Sequence, residues 1–311
     1  MRKGTLILIP IIVFATYMSR PLSAIEEARN PKSETRNEYD SKPEEEKVEI
    51  MVTPAIPIQG EPVLVEISGV GTSSIRALKF KNESMAVFER GARDGRAAGL
   101  IGLDLRMPPG EYPVTLTLTD GRVIQKNVKI GERKVVQAPL GIPEKLGGDT
   151  PEAEKELLET LAKEGKIINE IKTSQEQFWA GSFHYPLNGE ITITDTYGYS
   201  RLTGASTIAH KGTDFRAKVG TPVYAINSGI LRFTRNLRNY GNTVAIDHGT
   251  GVLSIYMHLS SIEVEEGAKV NKGDLIAYSG DTGYVLGPHL HLTIRINNIS
   301  IDPMKFYELG L

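Results

Sequence analysis

Gly287-Pro288-His289-Leu290-His291-Leu292-Thr293-Ile294-Arg295-Ile296 alternates polar and apolar residues without interruption from His289 onward. Side chains along a strand point to opposite faces in turn, so the stretch reads as a β-strand over 290–297 with Leu290, Leu292, Ile294 and Ile296 on a core face. His289, His291, Thr293 and Arg295 then share the other face. Upstream, short runs over 190–194, 221–225, 229–234, 242–247, 252–258 and 274–279 read as further strands, and 179–311 becomes an antiparallel β-sheet domain.

The alternation that builds the strand also gathers chemistry. Further upstream, His210-Lys211-Gly212-Thr213-Asp214 presents an imidazole and a carboxylate at short loop spacing, with Gly212 free to bend tightly between them. An isolated His-x-x-x-Asp is usually a surface hydrogen bond, and His258, ending Ser254-Ile255-Tyr256-Met257-His258, taken alone is a half-buried histidine with its bonds met. One metal site replaces these separate explanations. Structural zinc favours a closed, Cys-rich tetrahedron, whereas catalytic zinc takes three His, Asp or Glu ligands and keeps one position open. The chain has no cysteine, so an open zinc site is the reading. Spacing does not decide which of His289 and His291 binds the ion. There is no His-Glu-x-x-His, hence no counterpart to the glutamate base of that protease class.

Before the sheet domain, Leu157, Leu158, Leu161, Ile167, Ile168 and Ile171 recur at nearly helical spacing, a stripe that serves packing. Asp149 and Thr150 are candidate N-caps, Pro151 sits in the first turn, and Gly165 is a candidate break. This helix and the Pro/Gly-rich run over 139–148 form a connector over 134–178, and Trp179 is expected to pack the helix on the sheet. From 48 to 133, runs such as Val63-Leu64-Val65-Glu66-Ile67 and Val114-Thr115-Leu116-Thr117-Leu118 predict an immunoglobulin-like β-sandwich, without the Cys-Trp-Cys signature. Asp120-Gly121 predicts a two-residue type I′ hairpin turn. The polar stretch over 25–47 reads as a disordered linker. Arg2 and Lys3, a charge-free apolar run over 4–19 and a small-residue approach to Ala24 mark 1–24 as a signal peptide, with a retained membrane anchor as the alternative.

With 311 residues, two domains plus linkers are expected, and the fold class is mainly β. A net charge of -2 argues against a nucleic-acid partner, which a basic excess normally accompanies. Lack of cysteine excludes disulfides, thiolate ligands and a lipid-modified N-terminal cysteine.

Taken in order, His210-x-x-x-Asp214, Tyr256-Met257-His258-Leu259-Ser260 and Gly287-Pro288-His289-Leu290-His291 resemble the lysostaphin-type (LytM-like) zinc endopeptidases. The likeness covers about 183–306 and extends to Gly220-Thr221-Pro222-Val223-Tyr224-Ala225, Asp247-His248-Gly249 and Asp302-Pro303. It implies a half-barrel sheet of the lysostaphin and lipoyl type, one Zn2+ held by His210, Asp214 and His291, and His258 and His289 as the catalytic histidines. Neither Tyr197 nor Tyr199 matches the oxyanion-assisting tyrosine of some members; His184 and His248 read as structural.

Members of that family cut peptide bonds in peptidoglycan. The implied function is therefore hydrolysis of cross-link or stem-peptide bonds by an exported, periplasmic or envelope-associated enzyme. Inner-membrane anchoring and a regulatory protein partner, met through the sandwich, complete the expected associations. The alternatives are a non-catalytic activator of cell-wall amidases, or a binding module on the same fold. Gly267-Ala268-Lys269-Val270-Asn271-Lys272-Gly273-Asp274 resembles the strand and turn pattern of biotinyl and lipoyl domains, yet lacks their modified lysine.

Overall fold

The computed structural model describes residues 47–90, 96–139, 141–203 and 206–311. The expected signal segment, and the expected linker up to residue 46, lie outside them. Eight strands come first: β1 (Glu49–Thr53), β2 (Pro62–Ser68), β3 (Ile75–Phe80), β4 (Glu83–Ser84), β5 (Phe88–Arg90), β6 (Arg96–Gly102), β7 (Gly110–Leu118) and β8 (Val123–Ile130). They form two sheets, β1-β2-β6-β5 and β4-β3-β7-β8. Lettered A to G with an extra C′, that is A-B-E-D opposite C′-C-F-G, the strand order of an immunoglobulin-type sandwich. Alternate residues from both sheets, Val63, Val65 and Ile67 against Val114, Leu116 and Leu118, close its core.

The β7–β8 turn differs from the type I′ expectation. Leu118 N donates to Arg122 O and Gly121 N to Leu118 O, and positive φ falls on Gly121 (92°) but not on Asp120. This is a three-residue loop with glycine in the left-handed position, which the Asp-Gly pair serves as well as it serves a type I′ turn. Asp120 instead accepts from Arg122 N through its carboxylate.

A short strand, β9 (Gln137–Pro139), then precedes helix α1 (Pro151–Asn169). Thr150 caps the helix by accepting from Ala153 N, while the other cap candidate, Asp149, accepts from Ile142 N outside it. The helix passes through Gly165 without a break.

The remainder is β10 (Ile193–Asp195), β11 (Ser200–Thr203), β12 (Ser206–Ala209), β13 (Thr213–Arg216), β14 (Pro222–Tyr224), β15 (Gly229–Leu237), β16 (Gly241–Gly249), β17 (Val252–Ile262), β18 (Lys269–Val270), β19 (Leu275–Ser279), β20 (His289–Ile296), β21 (Ile299–Ile301) and a final helix, α2 (Pro303–Glu308). Ten of these strands share one open sheet: seven follow the path β10-β13-β20-β17-β16-β15-β18, and off it β14 pairs with β19, β19 with β17, and β21 with β20. No pairing among the described residues closes it into a barrel. β11 and β12 form a separate hairpin, to which β9 from the connector adds in parallel.

Both faces of the central strands are covered. Leu290, Leu292, Ile294 and Ile296 enter a core that also contains Leu64, Phe88, Ala98 and Leu100, so one sheet of the sandwich packs against this region. Trp179 belongs to that seam, 5.1 Å from the Phe88 ring, instead of pinning the helix as expected. The opposite face receives α1: Ile168 packs on Phe233, Leu253, Ile255 and Met257, and Arg295 donates to Ile168 O and Asn169 Oδ1.

Candidate active site

β20 pairs with β13 so that Asp214 lies opposite His291 and Arg216 opposite His289. The His210–Asp214 segment is thus not the tight loop expected: Asp214 is a strand residue, and its neighbour across the ladder is the histidine it must meet. Gly212 has another use, because a Cβ there would run into His291 Nε2 and Leu292 O. His258 reaches the same face by a different device. Asn242 pairs with Leu259 but Val244 with Tyr256, so Thr243 opposes both Met257 and His258 across a bulge, and His258 has φ 62°. A bulge with a left-handed residue re-aims a side chain. Simple alternation would have sent His258 away from Met257 and its partner His291.

Three donor atoms converge. His210 Nε2 is 3.0 Å from His291 Nδ1 and 3.1 Å from Asp214 Oδ1, and His291 Nδ1 is 2.8 Å from that oxygen. Their outer hydrogen bonds fix the tautomers. His210 Nδ1 lies 2.9 Å from Thr196 O, which can only accept, so in the neutral ring that nitrogen carries the proton. Thr293 donates its hydroxyl to Lys211 O and so accepts from His291 Nε2, 2.9 Å away. Two lone pairs and a carboxylate oxygen therefore face one another with no hydrogen between them, an arrangement that a cation resolves. His, His and Asp are a donor set that suits zinc. Where a proton stands in for the ion, burial opposes ionisation of the Asp214 carboxyl, but hydrogen bonds from His210 and His291 outweigh it and hold the group below the usual carboxylate range.

His258 and His289 stand beside this cluster, their rings 4.9 Å apart, with His258 also 6.0 Å from the His291 ring. Each has its Nδ1 2.9 Å from a carbonyl, Thr282 O for His258 and Gly287 O for His289. In the neutral ring Nδ1 is thus the proton-bearing nitrogen of each, and Nε2 carries the lone pair. His289 Nε2 lies 3.6 Å from Asp214 Oδ2, beyond a hydrogen bond. Burial, with His289 and His291 nearby, pushes His258 well below the ordinary imidazole value, so it stays neutral near pH 7.

Tyr197 is away from this chemistry: its hydroxyl donates to Ser300 O and its ring stacks under Arg133. His248 is buried, with Nδ1 on Ser228 O and Nε2 on Ser254 Oγ, and serves the fold. Two contributors escaped the sequence reading. Thr293 was legible in principle, two residues from His291 on the same strand face. Thr282 acts through its carbonyl, which no side-chain pattern announces.

The model of peptidase family M23 matches residues 208–303. The peptidoglycan DD-endopeptidase ShyA of Vibrio cholerae is 35% identical over 153 residues, 49% of this chain and 35% of that protein. The DD-carboxypeptidase/endopeptidase Mpg of Neisseria meningitidis is 42% identical over 96 residues, 31% of this chain and 22% of that protein. The chain therefore spans about a third or less of the length of these relatives. A crystal structure from Pseudomonas aeruginosa, described as a candidate peptidase M23, superposes with a TM-score of 0.59 at 23% identity, covering 81% of this chain and 94% of that one. It shares the fold.

Proposed function

We propose that the chain, whose residues 208–303 match the model of peptidase family M23, is a zinc endopeptidase of peptidoglycan, with His210, Asp214 and His291 as metal ligands and His258 and His289 as catalytic histidines. The observation that carries this reading is the meeting of His210 Nε2, His291 Nδ1 and an Asp214 oxygen beside two imidazoles whose Nδ1 atoms are held by carbonyl oxygens. Zinc bound by these three residues would supply Lewis-acid polarisation of a peptide carbonyl and would lower the pKa of a bound water towards ~7.

The chain's own residues do the rest. His289 or His258 accepts the proton of the attacking water at Nε2 and returns it to the departing amine, while the imidazolium stabilises the oxyanion. The carbonyls of Gly287 and Thr282 keep each ring in the tautomer that this exchange needs. Asp214, ionised and next to both ligand histidines, completes the donor set.

The names of the two relatives favour a cross-link bond between D-residues as the substrate bond. Such a substrate places the protein in the cell envelope. In this reading 48–133 is a sandwich module through which a regulatory partner acts, 134–178 a connector and 179–311 the peptidase domain.

The test is zinc content and digestion of isolated peptidoglycan by wild type, His210→Ala and His289→Ala. His210→Ala loses metal and activity together, whereas His289→Ala keeps metal and loses activity. Full activity in either variant sinks the assignment, and the new amine end in the fragments identifies the bond.

A further inference from the structure

Helix α1 buries Ala153, Leu157, Glu164 and Ile168 on one face. Three of these suit a packing stripe, and a carboxyl does not. Glu164 is 6% exposed, and both its oxygens lie 3.1 Å from the backbone N of Asn239. Burying a carboxyl costs free energy unless the groups around it are satisfied, so its place in the stripe calls for a use.

Asn239 sits in the turn between β15 and β16, itself 1% exposed, with Nδ2 donating to Thr160 Oγ1 one helical turn before Glu164. From this turn, hydrogen bonds run to both segments that hold His258. Tyr240 O accepts from His258 N at 3.0 Å, and Asn239 O accepts from Tyr284 N at 2.7 Å. The segment ending at Tyr284 includes Thr282, whose carbonyl holds His258 Nδ1 and whose hydroxyl accepts from Asn242 N. His258 needs this support, since a left-handed conformation is strained for a non-glycine residue and persists only where surroundings over-determine it.

We propose that Glu164 is a positioning residue for His258: the connector helix, through Asn239 and its turn, holds the imidazole in the tautomer and orientation that proton transfer needs. This rests on the peptidase reading above. It also makes the helix part of the catalytic apparatus, although it lies outside 208–303, the segment that the family model matches.

The full chain, labelled with 15N-histidine, tests it in wild type, Glu164→Leu, Glu164→Asp and Glu164→Gln. Glu164→Asp withdraws the carboxylate by one methylene without adding bulk, and carries the test where Glu164→Leu does not fold. In both, the His258 signal is expected to leave the Nδ1-H form for a mixture, while His248, also buried, stays unchanged as an internal control. On a soluble cross-linked peptidoglycan peptide, kcat falls roughly tenfold to hundredfold with KM and zinc content held. Glu164→Gln, which retains an acceptor oxygen, restores most of both readouts. Wild-type kcat and an unshifted His258 signal in folded Glu164→Asp overturn the proposal. A wild type that cleaves nothing, with His258 still shifted in Glu164→Asp, instead overturns the peptidase reading and leaves the positioning role standing.

Discussion

At the scale of single residues, the outer hydrogen bonds matter as much as the converging atoms. Thr293 does not touch the proposed ion, yet its hydroxyl is what leaves His291 Nδ1 free of a proton. Thr293→Val should fold normally and bind zinc about 10–100-fold more weakly in a chelator competition, the usual cost of losing such a partner. Unchanged affinity would remove Thr293 from the site. His248 makes a separate prediction. Burial lowers its pKa to about 4, against the pull of the Ser228 carbonyl and Asp247. Between pH 6.5 and that value the unfolded chain binds a proton that the folded chain refuses, so stability is complete above the window and drops as pH falls through it. The loss is on the order of 3 kcal/mol, and denaturant titrations of His248→Gln should show a flatter pH dependence over that range. The sequence displayed all six histidines but not the conformation of His258. Residue types can be read from the chain, whereas a bulge is settled by the partner strand.

At the scale of elements, the pairing of β13 with β20 sets Asp214 beside His291, and this pairing was the least legible. Thr213-Asp214-Phe215-Arg216 is too short and too polar to announce a strand, and its partner lies some 77 residues away. By contrast β20, β17 and β16 declared themselves, because long alternating runs leave little choice of face. The helix did too, once its stripe outweighed one glycine. Close approach of the β13 strand is expected to be unforgiving. Gly212→Ala puts a methyl against His291 and the Leu292 carbonyl, and should cost roughly 1–3 kcal/mol and stoichiometric zinc, read by thermal melting and metal analysis. Retention of both would mean that the strands can part without disturbing the ligands.

At the scale of the molecule, the expected division into sandwich, connector and sheet domain hides a shared core. Leu64 lies between Val63 and Val65 in a run that is apolar on both faces, a pattern that signals a strand covered on both sides. The other side is the seam with Trp179, Ile296 and Ile301, reinforced by the Arg133–Asp302 ion pair at 3.1 Å. Unfolding by calorimetry should therefore show a single transition. Phe88→Ala, which empties a site beside Trp179, should lower that whole transition at a cost of about 3 kcal/mol. Two separable transitions, only one of them moved, would show that the seam does not couple the parts.

The two-sided cover of β20 has a consequence for which mutations this chain can survive. The strand's odd positions from His289 carry imidazoles, hydroxyl and guanidinium, and its even positions carry the core, so fold and chemistry are written in a single parity. A point substitution changes one letter of one message. One residue inserted after Pro288 would exchange the two messages entirely, sending Leu290 and Leu292 towards Asp214 and both histidines into the hydrocarbon interior. Inserting two restores the parity but slides the pattern by about 6.6–6.8 Å along β13, away from the carboxylate it must meet. In this strand length variation is closed to drift while substitution stays open, and lineages can differ there in spelling but not in frame.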